Sequence, residues 1–202
     1  MTKVISLEKE YDLAFSEAAA VLIKGRVLIY PTDTVYGIGG DARDPEVVEK
    51  VRRIKGKRES VFSVILGGIG MVGEYAVTEG KAMQYVLESF PGATTLALES
   101  KKELPVAKGG KIGIRVPEHI FMRRLSLELG MPIITTSANR SGGKAPAEFG
   151  EIEKKVLEGA DLAIDGGKTL HGMSSTVVDV EGEKVLRSGA GRIPFTELAG
   201  EY

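Results

Sequence analysis

Apolar positions along the chain recur at two spacings, and each spacing predicts one type of element. Residues 10–24 carry apolar side chains three or four positions apart and stop before Gly25, which is typical of an amphipathic helix with a glycine C-cap. Asp44 and Pro45 begin a second such segment as N-cap and first helical residue. The pattern therefore places Lys55 near the end of a helix.

Further segments follow the same two patterns. The helical spacing predicts a helix capped by Thr78 with Ala82, Val86, Leu87 and Phe90 facing inward, a helix over 121–129 ending at Gly130, and a short helix over 152–157. Short apolar or alternating runs predict strands at 26–30, 61–66, 94–98, 112–116, 133–136 and 162–164, and a hairpin of 176–180 with 184–187. The order of these elements is irregular. It predicts an α/β fold with a mixed twisted sheet flanked by helices, in one domain over residues 1–202, rather than a doubly wound sheet.

The amino-acid composition excludes several kinds of functional site. The 202 residues include no cysteine and only two histidines, so disulfides, thiolate zinc sites and cysteine nucleophiles are excluded. We therefore expect no protein-held metal, and any metal to arrive with the ligand. The amino terminus lacks the apolar stretch of a signal peptide, and the apolar run 61–73 is too short to span a bilayer. These features predict a cytoplasmic protein without a membrane segment.

Polar side chains cluster where predicted strands end. They are Thr32-Asp33-Thr34, Arg115, Ser137-Ala138-Asn139 and Ser175-Thr176, with the basic run Lys55-Gly56-Lys57-Arg58 in addition. Ligands of open α/β sheets bind at such strand ends, and cations with hydroxyls suit a phosphate or carboxylate. Each piece alone has a plainer interpretation, since Thr and Asp satisfy loop backbone and Lys and Arg favour helix C-termini. No phosphate-binding loop or dinucleotide fingerprint is present in the sequence.

Six stretches in order resemble the YrdC/TsaC family of threonylcarbamoyl-AMP synthases over nearly the whole chain. They begin at Tyr30 (YPTDTVYG), Ile54 (IKGKR, with FSVI at Phe62), Pro91 (PGATTL), Ile112 (IGIRVP), Thr136 (TSANRSG) and Ser175 (STVVD, with LRSG at Leu186). The resemblance implies a YrdC-like domain with a concave basic ligand cleft. It also implies that the protein makes threonylcarbamoyl-adenylate and pyrophosphate from L-threonine, bicarbonate and ATP, with Mg²⁺ carried by the ATP.

The resemblance also assigns residues and partners. It places Thr34, Arg115, Ser137 and Ser175 at threonine, and Lys55, Lys57, Lys111, Asn139, Ala147 and Arg187 at ATP. No residue is assigned as a chemical catalyst, because the reaction requires positioning and charge neutralisation. The implied partner is the tRNA-modifying threonylcarbamoyl transferase complex.

The chain departs from the family pattern at three places. Its basic motif is one residue shorter, so either Lys57 or Arg58 can take the place of the family's arginine, and the spacing from Thr34 favours Lys57. The histidine that usually follows the next strand is replaced near Ile65. The usual Glu-Ser-Thr triplet is Ser-Ser-Thr, with Ser174 first.

Two other functions compete with synthesis. A double-stranded RNA or tRNA-binding module without catalysis could use the same cations, but a net charge of −1 and 6% aromatic residues argue against it. Steep salt dependence would identify such a module. The related carbamoyl-adenylating domain of hydrogenase-maturation proteins occurs beside cysteine zinc motifs, and this chain has no cysteine.

Overall fold

The computed structural model describes residues 2–56 and 61–195. The described strands and helices, in chain order, are β1 (Lys3–Ser6), α1 (Tyr11–Ile23), β2 (Leu28–Tyr30), β3 (Gly37–Gly39), α2 (Pro45–Lys55), β4 (Ser63–Ile65), α3 (Ile69–Tyr75), α4 (Lys81–Ser89), β5 (Thr94–Glu99), β6 (Lys111–Arg115), α5 (Ile120–Leu129), β7 (Ile133–Ser137), α6 (Lys154–Gly159), β8 (Leu162–Asp165), β9 (Thr176–Asp179) and β10 (Lys184–Arg187).

All of these strands form one sheet. Its order is β1-β8-β2-β3-β7-β4-β6-β5-β9-β10. Of the described strand pairs, four are parallel (β1 with β8, β2 with β8, β4 with β6, β5 with β9), and the other five are antiparallel. The predicted mixed sheet flanked by helices is confirmed, as is the antiparallel hairpin of β9 and β10.

Helices cover both faces of the sheet. Consecutive residues of one strand pack into two different hydrophobic cores, one on each face. Val64 belongs to the core with α2, α3, α4 and α6, whereas Ile65 belongs to the core with α1 and α5. This alternation follows from the period of two along a strand. The helices themselves are short, the longest having 13 residues, and no helix in the described chain has the length and apolar character needed to cross a membrane.

The helix α2 begins at the two residues that the sequence predicted, Asp44 and Pro45. The Asp44 carboxylate accepts hydrogen bonds from two backbone N–H groups of the first turn of α2, and Pro45 is the first helical residue. Gly56 ends the helix in the left-handed conformation, at φ 71°. As a result Lys55 is the last helical residue and lies at 5% exposure.

Several details differ from the sequence predictions, which also do not include β1 and α3. Thr78 is not a cap, because α4 begins at Lys81 and its N-cap is Gly80. Leu87 faces outward at 59% exposure instead of inward. The segment after β2, where no strand was predicted, contains β3, which pairs with both β2 and β7.

Candidate functional site

A polar cleft lies on the face of the sheet that α1 and α5 leave uncovered. Its floor consists of the strand residues that point away from the α2–α4 core, namely Ser63, Thr95, Arg115, Thr135, Ser137 and Val177. Their neighbours Val64, Leu96, Ile114 and Val178 are buried in that core. The same alternation that builds the core therefore aligns one row of mostly polar side chains across β4, β5, β6, β7 and β9.

The inner part of the cleft is a cavity of about 240 Å³. Besides the floor, its walls include Thr32, Thr34, Val35, Tyr36, Gly37, Val61, Thr136, Ser174, Ser175 and Arg187. All four residues predicted at threonine thus line this one cavity. Pro31 follows the end of β2, where the chain leaves the sheet and brings Thr32 and Thr34 to the cavity.

Arg115 is held in place by the segment that follows β2. Its Nη2 donates to Asp33 Oδ1 at 2.6 Å and its Nη1 donates to Thr34 Oγ1 at 2.6 Å. The Nε donates more weakly to the Gly92 carbonyl, at 3.3 Å. Thr32 Oγ1 lies 3.0 Å from Thr34 Oγ1, which fixes the hydroxyl that Arg115 uses.

The guanidinium is almost fully buried, with 5% of its side chain exposed. Burial lowers the pKa of Arg115, and the Asp33 carboxylate opposes that change. A guanidinium has five N–H donors, and three of them go to the acceptors just named. Arg115 thus places a fixed, planar cation in the cavity wall, and a guanidinium is a cation suited to binding a carboxylate.

The opposite wall is built around Ser175. Its hydroxyl lies 2.9 Å from Thr95 Oγ1, and Arg187 Nη2 donates to the same hydroxyl at 3.1 Å. Arg187 also donates twice to the Ser175 carbonyl, at 2.9 and 3.1 Å. The strand β10 thereby holds an arginine at the rim of the cavity.

An outer cavity of about 610 Å³ adjoins the inner one. Val61, Thr136, Ser137, Ser174 and Arg187 line both. Lys55, Phe62, Asn139, Ser141, Gly142, Gly143 and Ala145 line the outer cavity alone. The two cavities therefore form one continuous cleft with a small inner end and a wider outer end.

Lys55 and Asn139 shape the outer cavity. Lys55 Nζ donates to the Ser137 carbonyl at 2.5 Å, and Asn139 Oδ1 lies 3.5 Å away. Asn139 Nδ2 donates to the carbonyls of Arg140 and Gly143, at 2.8 and 2.7 Å, and so closes the loop that follows β7. Burial lowers the pKa of Lys55 to about 8, with Glu153 opposing the change.

Two of the residues predicted at ATP, Lys111 and Ala147, line neither cavity. Lys111 lies at the opposite end of β6 from Arg115 and pairs with Asp179 and Glu181, at 2.8 and 2.9 Å. Ala147 bonds through its backbone to Glu151 and Thr169 and lines neither cavity. Lys57 and Arg58 lie outside the described residues.

Several lining residues were not predicted from the sequence. Ser63, Thr95 and Thr135 form much of the cavity floor. In the sequence, each of these polar residues alternates with apolar residues within a strand. That pattern is equally typical of a sheet face exposed to solvent, so it does not indicate a binding site. Asp33 belongs to the polar segment predicted at the end of β2. Its contact with Arg115 joins residues 82 positions apart, so no local pattern in the sequence predicts it.

A comparison with known families gives a match over residues 20–189 to the Sua5/YciO/YrdC family, described as "Telomere recombination". The chain belongs to this family. A family member from Methanocaldococcus jannaschii is 35% identical in an alignment of 202 positions that covers 95% of each chain. The threonylcarbamoyl-AMP synthase of Bos taurus is 35% identical and matches 94% of this chain and 72% of its own.

Solved structures of family members share the fold. Pyrococcus abyssi Sua5 in complex with L-threonine superposes with a TM-score of 0.84 at 25% identity, over 94% of this chain and 57% of that one. Escherichia coli YciO gives a TM-score of 0.84 at 26% identity, over 96% and 98% of the two chains. This chain therefore spans little more than half of the Sua5 protein and nearly all of YciO.

Proposed function

We propose that this protein synthesises L-threonylcarbamoyl-adenylate from L-threonine, bicarbonate and ATP, with release of pyrophosphate, as the first step of tRNA threonylcarbamoyladenosine modification. The observation that carries the proposal is the pair of adjoining cavities. The inner one, at about 240 Å³, is smaller than the roughly 300–1,000 Å³ of drug-sized pockets and suits an amino acid. The outer one, at about 610 Å³, suits a nucleotide.

The side chains of the inner cavity match an amino acid. Arg115 offers the carboxylate a rigid cation, and Thr34, Ser137 and Ser175 add hydroxyls around it. Val35 and Val177 supply apolar surface for a methyl group. L-Threonine has each of these groups, and relatives named as threonylcarbamoyl-AMP synthases support its choice.

The residues of the outer cavity match a triphosphate. Lys55 and Arg187 are cations, and Asn139 with the glycines after it provides polar backbone and amide groups. The proposal does not rely on Lys111 or Ala147, which the structure places outside the cleft. A role for Lys57 in binding ATP stays a prediction.

The proposed reaction requires ATP to lie beside the carbamate that forms from threonine and bicarbonate. The threonine amine attacks bicarbonate carbon to form a carbamate with loss of water. A carbamate oxygen then attacks the α-phosphorus of ATP, and the bond from that phosphorus to the bridging oxygen breaks, so that pyrophosphate leaves. Ser137 and Arg187, shared by both cavities, lie where the two reactants would meet. The protein's contribution is positioning and neutralisation of charge.

Magnesium would enter with ATP. Among the described residues, the linings of the two cavities contain no carboxylate, so the ATP phosphates and water would supply the oxygen ligands that Mg²⁺ prefers. A cytoplasmic location, and delivery of the product to a tRNA-modifying threonylcarbamoyl transferase complex, are further parts of this proposal.

The test is an omission experiment on pyrophosphate release. Purified protein, MgATP, L-threonine and bicarbonate are mixed in degassed buffer, and each reactant is left out in turn. We expect release only when all are present, because neither threonine nor bicarbonate alone provides the attacking oxygen. Release that persists without bicarbonate or without threonine would contradict the proposal, and an Arg115→Met protein purified in parallel controls for contaminating enzymes.

A further inference from the structure

Three side chains that could bind a metal ion lie close together beside Arg115, outside both cavities. One ligand atom each from Asp33, Glu118 and His171 lies within 4.8 Å of the other two. The three residues come from different segments: the turn after β2, the turn before α5, and the loop between β8 and β9. His171 Nε2 and Glu118 Oε2 are 3.9 Å apart.

Asp33 gives this group an independent reason to bind a cation. Its side chain is 2% exposed, and only one of its oxygens, Oδ1, bonds to Arg115. The other oxygen, Oδ2, is buried and has no hydrogen-bond donor among the described residues. A buried carboxylate oxygen without a donor is rare in folded proteins, and a bound cation is one way to satisfy it.

We propose that Asp33, Glu118 and His171 form a binding site for a first-row divalent metal ion such as Zn²⁺ or Co²⁺, separate from any magnesium that accompanies ATP. An imidazole with carboxylates is a donor set that these ions favour. Two carboxylates against the single guanidinium of Arg115 also leave the group with a net negative charge.

The geometry requires little movement. Three atoms within 4.8 Å of one another share a point no more than about 2.8 Å from each, while metal–ligand bonds to nitrogen and oxygen are about 2.0–2.2 Å. Glu118 and His171 have 52% and 32% of their side chains exposed, so they can close the difference by rotation. Water can complete the coordination on this open side.

A metal here would tie three loops to the same carboxylate that holds Arg115. His171 N already donates to the Asp33 carbonyl at 2.8 Å, so the loop lies against the turn before any ion binds. The inference rests on these contacts alone and not on the proposed function, because metal binding is measured without substrates.

The experiment uses the full chain with any affinity tag removed, stripped with a chelator and titrated with Zn²⁺ by calorimetry and with Co²⁺ by visible absorption. We expect one ion per chain and a higher melting temperature with Zn²⁺. His171→Ala and Glu118→Gln should each weaken binding by at least about tenfold, since loss even of groups behind a ligand costs 10–100-fold.

Glu128→Gln is the matched control, because its carboxylate has a similar exposure of 49% and lies in an i,i+4 pair on α5. It should bind Zn²⁺ as the unchanged protein does. Absence of binding by the unchanged protein, or equal affinity in His171→Ala, Glu118→Gln and Glu128→Gln, would overturn the proposal.

Discussion

Two buried cations, Arg115 and Lys55, line the cleft. Arg115 has a carboxylate partner in Asp33. Lys55, by contrast, has no carboxylate within ion-pair distance in the described parts of the chain and bonds to neutral oxygens such as the Ser137 carbonyl. Because burial of an ammonium without a counter-ion is costly, an anion that enters the outer cavity would supply a counter-charge for Lys55.

The first prediction concerns pH and Lys55. Its pKa of about 8 means that the ammonium form is present near pH 7 and is lost as pH rises. ATP affinity should therefore be constant near pH 7 and fall at higher pH, by up to about 1.5–3 kcal/mol, the contribution of a hydrogen bond to a charged group. Calorimetric titration with ATP at several pH values measures it.

Lys55→Arg is the control, because arginine keeps its charge throughout this range. A fall of equal size in Lys55→Arg would contradict the prediction. The stability of the protein without ATP depends on pH in the opposite direction from the ATP affinity. The folded pKa lies below the ordinary value of 10.5, so unfolding takes up a proton between these two values, and the contribution of Lys55 to the free energy of unfolding rises with pH.

The second prediction concerns Arg115→Lys. A lysine cannot hold both Asp33 and Thr34 while presenting a planar pair of donors to a carboxylate. We expect threonine affinity to fall by at least about tenfold, or about 1.4 kcal/mol, while ATP affinity changes much less. Calorimetry with each ligand separates the two, and Arg124→Lys on exposed α5 serves as the control. Equal losses of threonine and ATP affinity would indicate a collapsed cleft instead.

At the scale of elements, sequence patterns predicted the helices and strands that carry their own signal. The buried face of α1 is formed by Ala14, Ala18, Val21 and Leu22, as the spacing indicated, and Asp44 and Gly130 cap their helices. The missed elements lack such signals. α3 contains two glycines, Gly70 and Gly73, which are poor helix formers.

β3 is the most instructive omission. Its sequence is Gly-Ile-Gly, which has low strand propensity, and its position depends on pairing with β7, about a hundred residues later. That pairing requires a glycine at position 39, whereas a Cβ on Gly37 would meet the Tyr30 ring of β2. A Cβ on Gly39 would overlap the carbonyl oxygen of Ile134 on β7, so local propensity yields to a close approach of two backbones.

The third prediction follows from this approach. Gly39→Ala must push β3 from β7 and should lower the free energy of unfolding by about 3 kcal/mol, the upper range for overpacking, with a drop of about 6–12 °C in melting temperature. Gly70→Ala is the control, because a Cβ there meets nothing within 4 Å and it lies in a helix, where alanine is favoured. Thermal unfolding of both variants measures this difference. A Gly39→Ala protein as stable as the unchanged one would contradict the packing described for β3.

At the scale of the whole molecule, one sheet brings together residues that are far apart in the chain. The inner cavity combines Thr34, Arg115 and Ser175 from segments more than fifty residues apart, and α2 adds Lys55 to the adjoining outer cavity. The sequence predicted these residues through motifs. The division of the cleft into two cavities that share Ser137 and Arg187 follows only from the strand order.

In the function that we propose, these two cavities bring threonine, bicarbonate and ATP together so that all three enter one product. The most direct test supplies ¹³C-bicarbonate with L-threonine and MgATP and identifies the nucleotide product by mass spectrometry. We expect threonylcarbamoyl-adenylate that carries the heavy carbon, formed by the unchanged protein and not by Arg115→Met. A product without the heavy carbon, or an adenylate of threonine itself, would contradict it.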